Sequence, residues 1–114
     1  MNNQVVEGDF RKGTLISLTL FGRVILGNWK RIDITDLIYK AEKITSENKK
    51  DIISATGWGV LSGLTFGPLG ALAGLVFGGR KKQYGIMCYL KDDRKFVAVV
   101  DSELLNKIMM LSSE

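Results

Sequence analysis

Between residues 13 and 32 apolar and polar positions roughly alternate, as in Thr14-Leu15-Ile16-Ser17-Leu18-Thr19-Leu20, in a stretch rich in Leu, Ile, Val, Thr, Phe and Trp. A period of two places successive side chains on opposite faces of an extended backbone, so this stretch predicts strands. Val24-Ile25-Leu26 and Trp29-Lys30-Arg31-Ile32 flank Gly27-Asn28, a pair of a kind common in two-residue hairpin turns. Residues 36–45 fit two periods: Leu37, Ile38, Ala41 and Ile44 suit a helix about as well as Tyr39 and Ala41 suit one side of a strand. The strand is the preferred reading, which makes 12–45 mainly strands.

The pattern then changes. Residues 46–51 are polar and charged, with Ser46 placed to cap a helix and Glu47 favourable near its positive end. From 52 to 79 there is no charged residue, and glycine recurs at Gly59, Gly63 and Gly67, then at Gly70, Gly74 and Gly78. Spacing of four puts such glycines on one helix face, leaving a groove that another backbone can approach. Gly67-Pro68 reads as a carboxyl-end glycine followed by proline at the first position of a new helix. The expectation is a glycine-zipper helical hairpin over 46–79, with limbs near 46–66 and 68–77, inserted between strands.

Gly78-Gly79 would end the second limb, and Arg80, Lys81 and Lys82 follow where a helix dipole favours cations. Alternation returns in Tyr84, Ile86, Cys88 and Leu90, and Phe96 to Val100 is a second β-rich run. With Lys91-Asp92-Asp93-Arg94 as the turn, 82–100 predicts a β-hairpin. Asp101 or Ser102 is placed to cap an amphipathic helix over 101–112, with Leu104, Leu105, Ile108 and Leu111 at helical spacing.

At 114 residues, 46% hydrophobic and 25% charged, the chain has the size and balance of one globular domain. A single cysteine, Cys88, excludes an intrachain disulfide, and its alternation with Ile86 and Leu90 reads as a buried strand position. Histidine is absent, which removes the commonest general base, metal ligand and triad imidazole. No catalytic, cofactor-binding or metal-ligating residue is therefore assigned, and a non-enzymatic role is expected. The first eleven residues lack the pattern of a signal peptide, so the cytoplasm is the expected compartment, with peripheral membrane attachment as the alternative. A formal net charge of +4 gives a mild attraction to nucleic acid or anionic lipid.

From Ile44 to Ile108 the chain has a Glu-Asn-Lys-Lys lead-in, a GWGxxxGxxxGPLGALAGxxxGG centre, the hairpin KDDRKFVAVVD and a closing helix. In this it resembles small bacterial and phage domains of poorly defined function. The resemblance implies a glycine-rich hairpin set among strands, and a β-hairpin plus terminal helix like the end of a pleckstrin-homology-like or GRAM-like barrel. The fold class expected is thus α+β, a pleckstrin-homology-like antiparallel sheet with an inserted Gly-rich hairpin and a carboxyl-terminal amphipathic helix. The resembling domains carry Asp-Gly at the hairpin turn, where this chain has Asp92-Asp93-Arg94. No catalytic or ligand residue follows from the resemblance.

Helices apolar on every side must be buried in a core, a partner or a membrane. The expected function is accordingly a protein-binding or self-assembling module, a homo-oligomer or a partner of another protein. Its rib glycines act as spacers, with Trp58, Leu64, Leu72 and Val76 as contact side chains. The alternatives are a peripheral membrane module resting the basic edge Arg80, Lys81 and Lys82 on anionic headgroups, and a small phage or mobile-element inhibitor of a host defence complex. Nucleotide binding is disfavoured because Gly57-Trp58-Gly59 with Gly63 is one residue too long for the dinucleotide fingerprint. Nucleic acid is disfavoured because Asp92 and Asp93 dilute the positive charge near Lys91, Arg94 and Lys95. Tyr84, Tyr89 and Phe96 then read as sheet positions, and Trp29 as an ordinary core or interface residue.

Overall fold

A computed structural model describes residues 3–67 and 83–112. Strands form where the β-rich runs predict them, and one more forms where none was expected: β1 (Gln4–Gly8), β2 (Ile16–Leu18), β3 (Val24–Leu26), β4 (Ile32–Asp33), β5 (Ile38–Ile44), β6 (Tyr84–Leu90) and β7 (Lys95–Val100). Among the described residues the helices α1 (Lys49–Thr56) and α2 (Ser102–Ser112) complete an α+β fold. The ambiguous stretch before residue 46 is the strand β5. All the pairings are antiparallel, in a four-stranded sheet ordered β1-β7-β6-β5 and a three-stranded sheet ordered β2-β3-β4. An isolated Gln4–Leu15 bridge joins the two, supported by the Val5 N–H to the Thr14 carbonyl (2.8 Å) and the Ile16 N–H to the Asn3 carbonyl (3.1 Å). Pairing therefore runs in one sequence, β4-β3-β2-β1-β7-β6-β5.

The central strands β6 and β7 of the large sheet are buried on both faces, which is why they read as nearly continuous apolar runs. Ile86, Cys88 and Leu90 of β6 and Phe96, Ala98 and Val100 of β7 face a first core, shared with Ile16, Val24 and Leu26 of the small sheet. Leu104, Leu105 and Ile108 of α2 close that core. Of the two candidate caps, Asp101 and Ser102, it is Asp101 that caps α2, its carboxylate accepting the Leu104 N–H at 2.9 Å. The alternate residues Met87, Val97 and Val99 face a second core with Ile44, Ile52, Leu61 and Phe66. The insertion after β5 is thus the cover of the sheet's outer face.

That cover is not the continuous first limb expected over 46–66. Helix α1 ends after eight residues because Gly57 takes a left-handed conformation (φ 74°) and returns its N–H to the Ile53 carbonyl at 2.7 Å. A 3-10 turn follows (Gly59–Gly63), then extended chain to Phe66. The helix start also differs. Its N-cap is Asn48 rather than Ser46, and Asn48 binds back through its side chain to the Thr45 N–H (2.8 Å) and the Lys43 carbonyl (2.8 Å). Lys49 Nζ donates to the Leu64 carbonyl at 2.7 Å, tying the two sides of the excursion together. The second limb, 68–77, lies outside the described residues.

The Gly27-Asn28 pair also sits in a different turn. Because Leu26 pairs with Ile32, the β3–β4 connection spans residues 27–31 rather than two residues. Gly27 takes φ 126°, and a Cβ there would lie 2.9 Å from the Lys30 carbonyl carbon, so the loop closes tightly on a position only glycine fills.

Candidate anionic-surface site

Two loops meet at one end of the small sheet, residues 9–15 between β1 and β2 and residues 27–31 between β3 and β4. The Gly27 N–H donates to the Leu15 carbonyl (3.0 Å), and the Asn28 carboxamide oxygen accepts the Leu15 N–H (2.9 Å), so the loops are fastened side by side. Within the first loop Thr14 donates through both its N–H and its hydroxyl to the Arg11 carbonyl, at 3.0 and 2.6 Å. Between them opens a cleft of about 400 Å³ lined by Phe10, Leu26, Trp29 and Ile32, with Arg11, Thr14, Asn28 and Lys30 around it.

Phe10 is the fixed part of this cleft. Its ring meets Phe96 edge-on at 5.5 Å, and the Arg94 guanidinium lies 4.9 Å from its centroid. Arg94 is itself paired with Asp92 at 2.6 Å, which raises the guanidinium pKa and lowers that of the carboxylate. The β6–β7 turn therefore supports the cleft without adding net charge to it. Trp29 is the opposite case: 96% exposed, with its indole held in solvent beside the apolar lining.

Each loop carries an aromatic residue followed by two cations, Phe10-Arg11-Lys12 and Trp29-Lys30-Arg31. Arg11, Lys12, Lys30 and Arg31 are all exposed. Among the described residues no carboxylate lies within ion-pair distance of any of them. By contrast Arg23, at the other end of β3, is spent on Asp33 (2.8 Å) and Asp36 (3.0 Å). Arg11 and Lys30 border the cleft beside the exposed Trp29 indole, whereas Lys12 lines a separate cavity with Val5, Val6 and Leu64, and among the described residues none of the four loop cations has a carboxylate partner. From sequence Trp29 reads as an ordinary core or interface residue, and its 96% exposure rules out the core; the repeated aromatic-cation-cation triplet was the signal available for the loops.

The residues singled out from sequence are distributed differently. Trp58 and Leu64 are half-buried against the second core. Gly59 and Gly63 are exposed on the 3-10 turn, and a Cβ at either would meet nothing within 4 Å. At three residues per turn a spacing of four turns about 120°, so these two do not form a single-faced rib. Gly67 accepts the Ser46 N–H through its carbonyl at 3.2 Å. Gly70, Leu72, Gly74, Val76, Gly78, Arg80, Lys81 and Lys82 lie outside the described residues. Cys88 is buried, and burial pushes its thiol up to about 12. Among the described residues no group of three or more acidic or sulfur side chains is placed to hold a metal ion, and no helix is long and apolar enough to cross a membrane. Compared with family models, curated proteins and solved structures, the chain has no match.

Proposed function

We propose that this chain is a non-enzymatic, pleckstrin-homology-like module that docks on anionic membrane surfaces through the loops at 9–15 and 27–31. The observation that carries the reading is Trp29, 96% exposed beside Arg11 and Lys30 on loops whose four cations have no carboxylate partner among the described residues. Indole rings favour the boundary between headgroups and acyl chains, where an apolar body and a polar N–H are both accommodated. A Lys or Arg near an anionic leaflet contributes about 1 kcal/mol, so each of Arg11, Lys12, Lys30 and Arg31 that reaches the leaflet adds about that much. Support for the fold part of the reading comes from the strand sequence β4-β3-β2-β1-β7-β6-β5 and a terminal helix closing the first core.

The test is co-sedimentation with vesicles of phosphatidylcholine alone and with phosphatidylserine added, alongside tryptophan emission in a Trp58→Phe background. Binding is expected only to the anionic vesicles, with a blue shift of Trp29 emission, and is expected to be lost in about 1 M salt, where the Debye length is about 3 Å. Lys30→Ala with Arg31→Ala removes about 2 kcal/mol and is expected to weaken binding about thirty-fold. Equal binding to both vesicle types, or an unshifted Trp29 emission on bound protein, overturns the proposal.

A further inference from the structure

The pairing sequence β4-β3-β2-β1-β7-β6-β5 has two open ends. A strand at such an end presents backbone N–H and C=O groups that pair with another chain unless something covers them. Strand β4 is two residues long, too short to act as a template, whereas β5 runs over Ile38–Ile44 and is paired on one side only, by β6. The Leu90 N–H donates to the Arg94 carbonyl (2.8 Å) on the β7 side, so 85, 87 and 89 of β6 face β5, and their partners 44, 42 and 40 point inward. Residues 41 and 43 therefore turn their backbone groups to the open side. Among the described residues the backbone from 39 to 43 makes one bond outside the ladder, the Asn48 carboxamide N–H to the Lys43 carbonyl (2.8 Å). The same carboxamide accepts the Thr45 N–H at 2.8 Å. Asn48 thus closes the carboxyl end of the edge and leaves the N–H and C=O of Ala41 open.

The side chains along this edge complement themselves. Lys40 and Glu42 stand on one face of β5, Lys40 exposed and Glu42 half-buried, and among the described residues neither has an ion-pair partner. A second β5 laid antiparallel on the open side is related to the first by a two-fold axis perpendicular to the sheet. That axis keeps faces matched, so it passes through a residue paired with its own copy. With Lys40 or Glu42 on the axis, identical charges meet there and oppose pairing. With Ala41 on the axis, Lys40 stands opposite Glu42 of the second copy and Glu42 opposite Lys40, while the two Ala41 residues exchange N–H to C=O bonds in both directions. We infer that the open edge of β5 pairs with β5 of a second copy in the register centred on Ala41, an isologous contact that closes as a dimer with one sheet running through both copies. The lysines keep a basic strand off this edge, and Glu42 makes a second copy acceptable to it. The contact uses neither the 9–15 nor the 27–31 loop, so it stands apart from the membrane reading.

Sedimentation velocity over a range of protein concentrations tests the inference on the full chain, on Lys40→Glu, on Glu42→Lys and on the double variant that carries both; circular dichroism checks that each folds. The wild-type average mass is expected to rise with concentration and level off at that of a dimer, and exchange of the Ala41 amide is expected to slow in step. Either single variant sets like charges opposite each other at both contacts, so it is expected to associate about tenfold more weakly. An equimolar mixture of the two single variants restores opposite charges at both contacts, as does the double variant with itself. Both are expected to dimerise as the wild type does. Four results overturn the inference: a wild type that stays monomeric throughout, single variants that associate as tightly as the wild type, a mixture and a double variant that associate no better than the single variants, or assembly that leaves Ala41 exchange unchanged.

Discussion

Asp93 takes φ 71°, the left-handed region that L-residues enter at a cost. It occupies the second position of the Asp92-Asp93 pair in the β6–β7 turn and holds a backbone shape that glycine takes without that cost. The neighbouring bonds hold it there: the Asp93 N–H donates to the Leu90 carbonyl (3.1 Å), the Leu90 N–H to the Arg94 carbonyl (2.8 Å), and Asp92 accepts the Arg94 N–H (3.1 Å) and clasps its guanidinium. Asp93→Gly relieves the steric cost at an exposed site and is expected to stabilise the protein by up to about 1 kcal/mol, read as a higher urea midpoint at unchanged slope. A destabilised variant would mean that the Asp93 side chain does more than fill the turn. At this scale the sequence is legible where one residue has one local partner, as with Asp101 capping α2. For Phe10 and Trp29 it offers only the repeated triplet, because their meeting depends on two loops separated by β2 and β3.

Among the elements, the contact between the insertion and the large sheet depends on a missing side chain. Gly85 of β6 leaves room for the ring of Phe66, and a Cβ added there would lie 2.7 Å from the ring's Cζ. Gly85→Ala is expected to cost about 1–3 kcal/mol by overpacking. Phe66→Ala alone is expected to cost about 3–5 kcal/mol through the lost burial and the cavity. The two substitutions share one contact, so their combination should fall short of the sum by at least about 0.5 kcal/mol in a denaturation cycle. Additive costs would show that Phe66 and Gly85 do not meet. This element was also the hardest to read. Regular glycine spacing suggests one long helix, but Gly57 with its positive φ ends the helix first, and at that point spacing no longer defines a face. Strand β1 escaped because the first residues were weighed only as a targeting segment. Strands β6 and β7 and helix α2 were legible, since alternation and an acidic cap are local signals that packing reinforced.

For the molecule as a whole, the two sheets differ in what holds them. Strands β6 and β7 are covered on both faces by separate cores, whereas β2, β3 and β4 are two or three residues long, with β2 and β3 buried on one side and both residues of β4 exposed. Stability should therefore be graded, with local opening of the small sheet preceding global unfolding. Amides of β6 and β7 are expected to exchange most slowly, and those of β3 and β4 by a cheaper opening. Acid should widen the difference. Asp33 of β4 is held down to about 2 by the Thr35 hydroxyl and the Arg23 guanidinium. A folded pKa below the unfolded value of about 3.9 means that its contribution is fully present above pH 4 and is lost as pH falls towards 2. Protonation releases Arg23 and with it the clamp between β3 and β4. Between pH 4 and 2, opening of the small sheet should thus become easier relative to β6 and β7, once intrinsic exchange rates are divided out. Asp33→Asn should show the same easier opening already at neutral pH. If both sheets opened together at every pH, the fold would be one cooperative unit, and the Arg23 cluster would not set the stability of the small sheet.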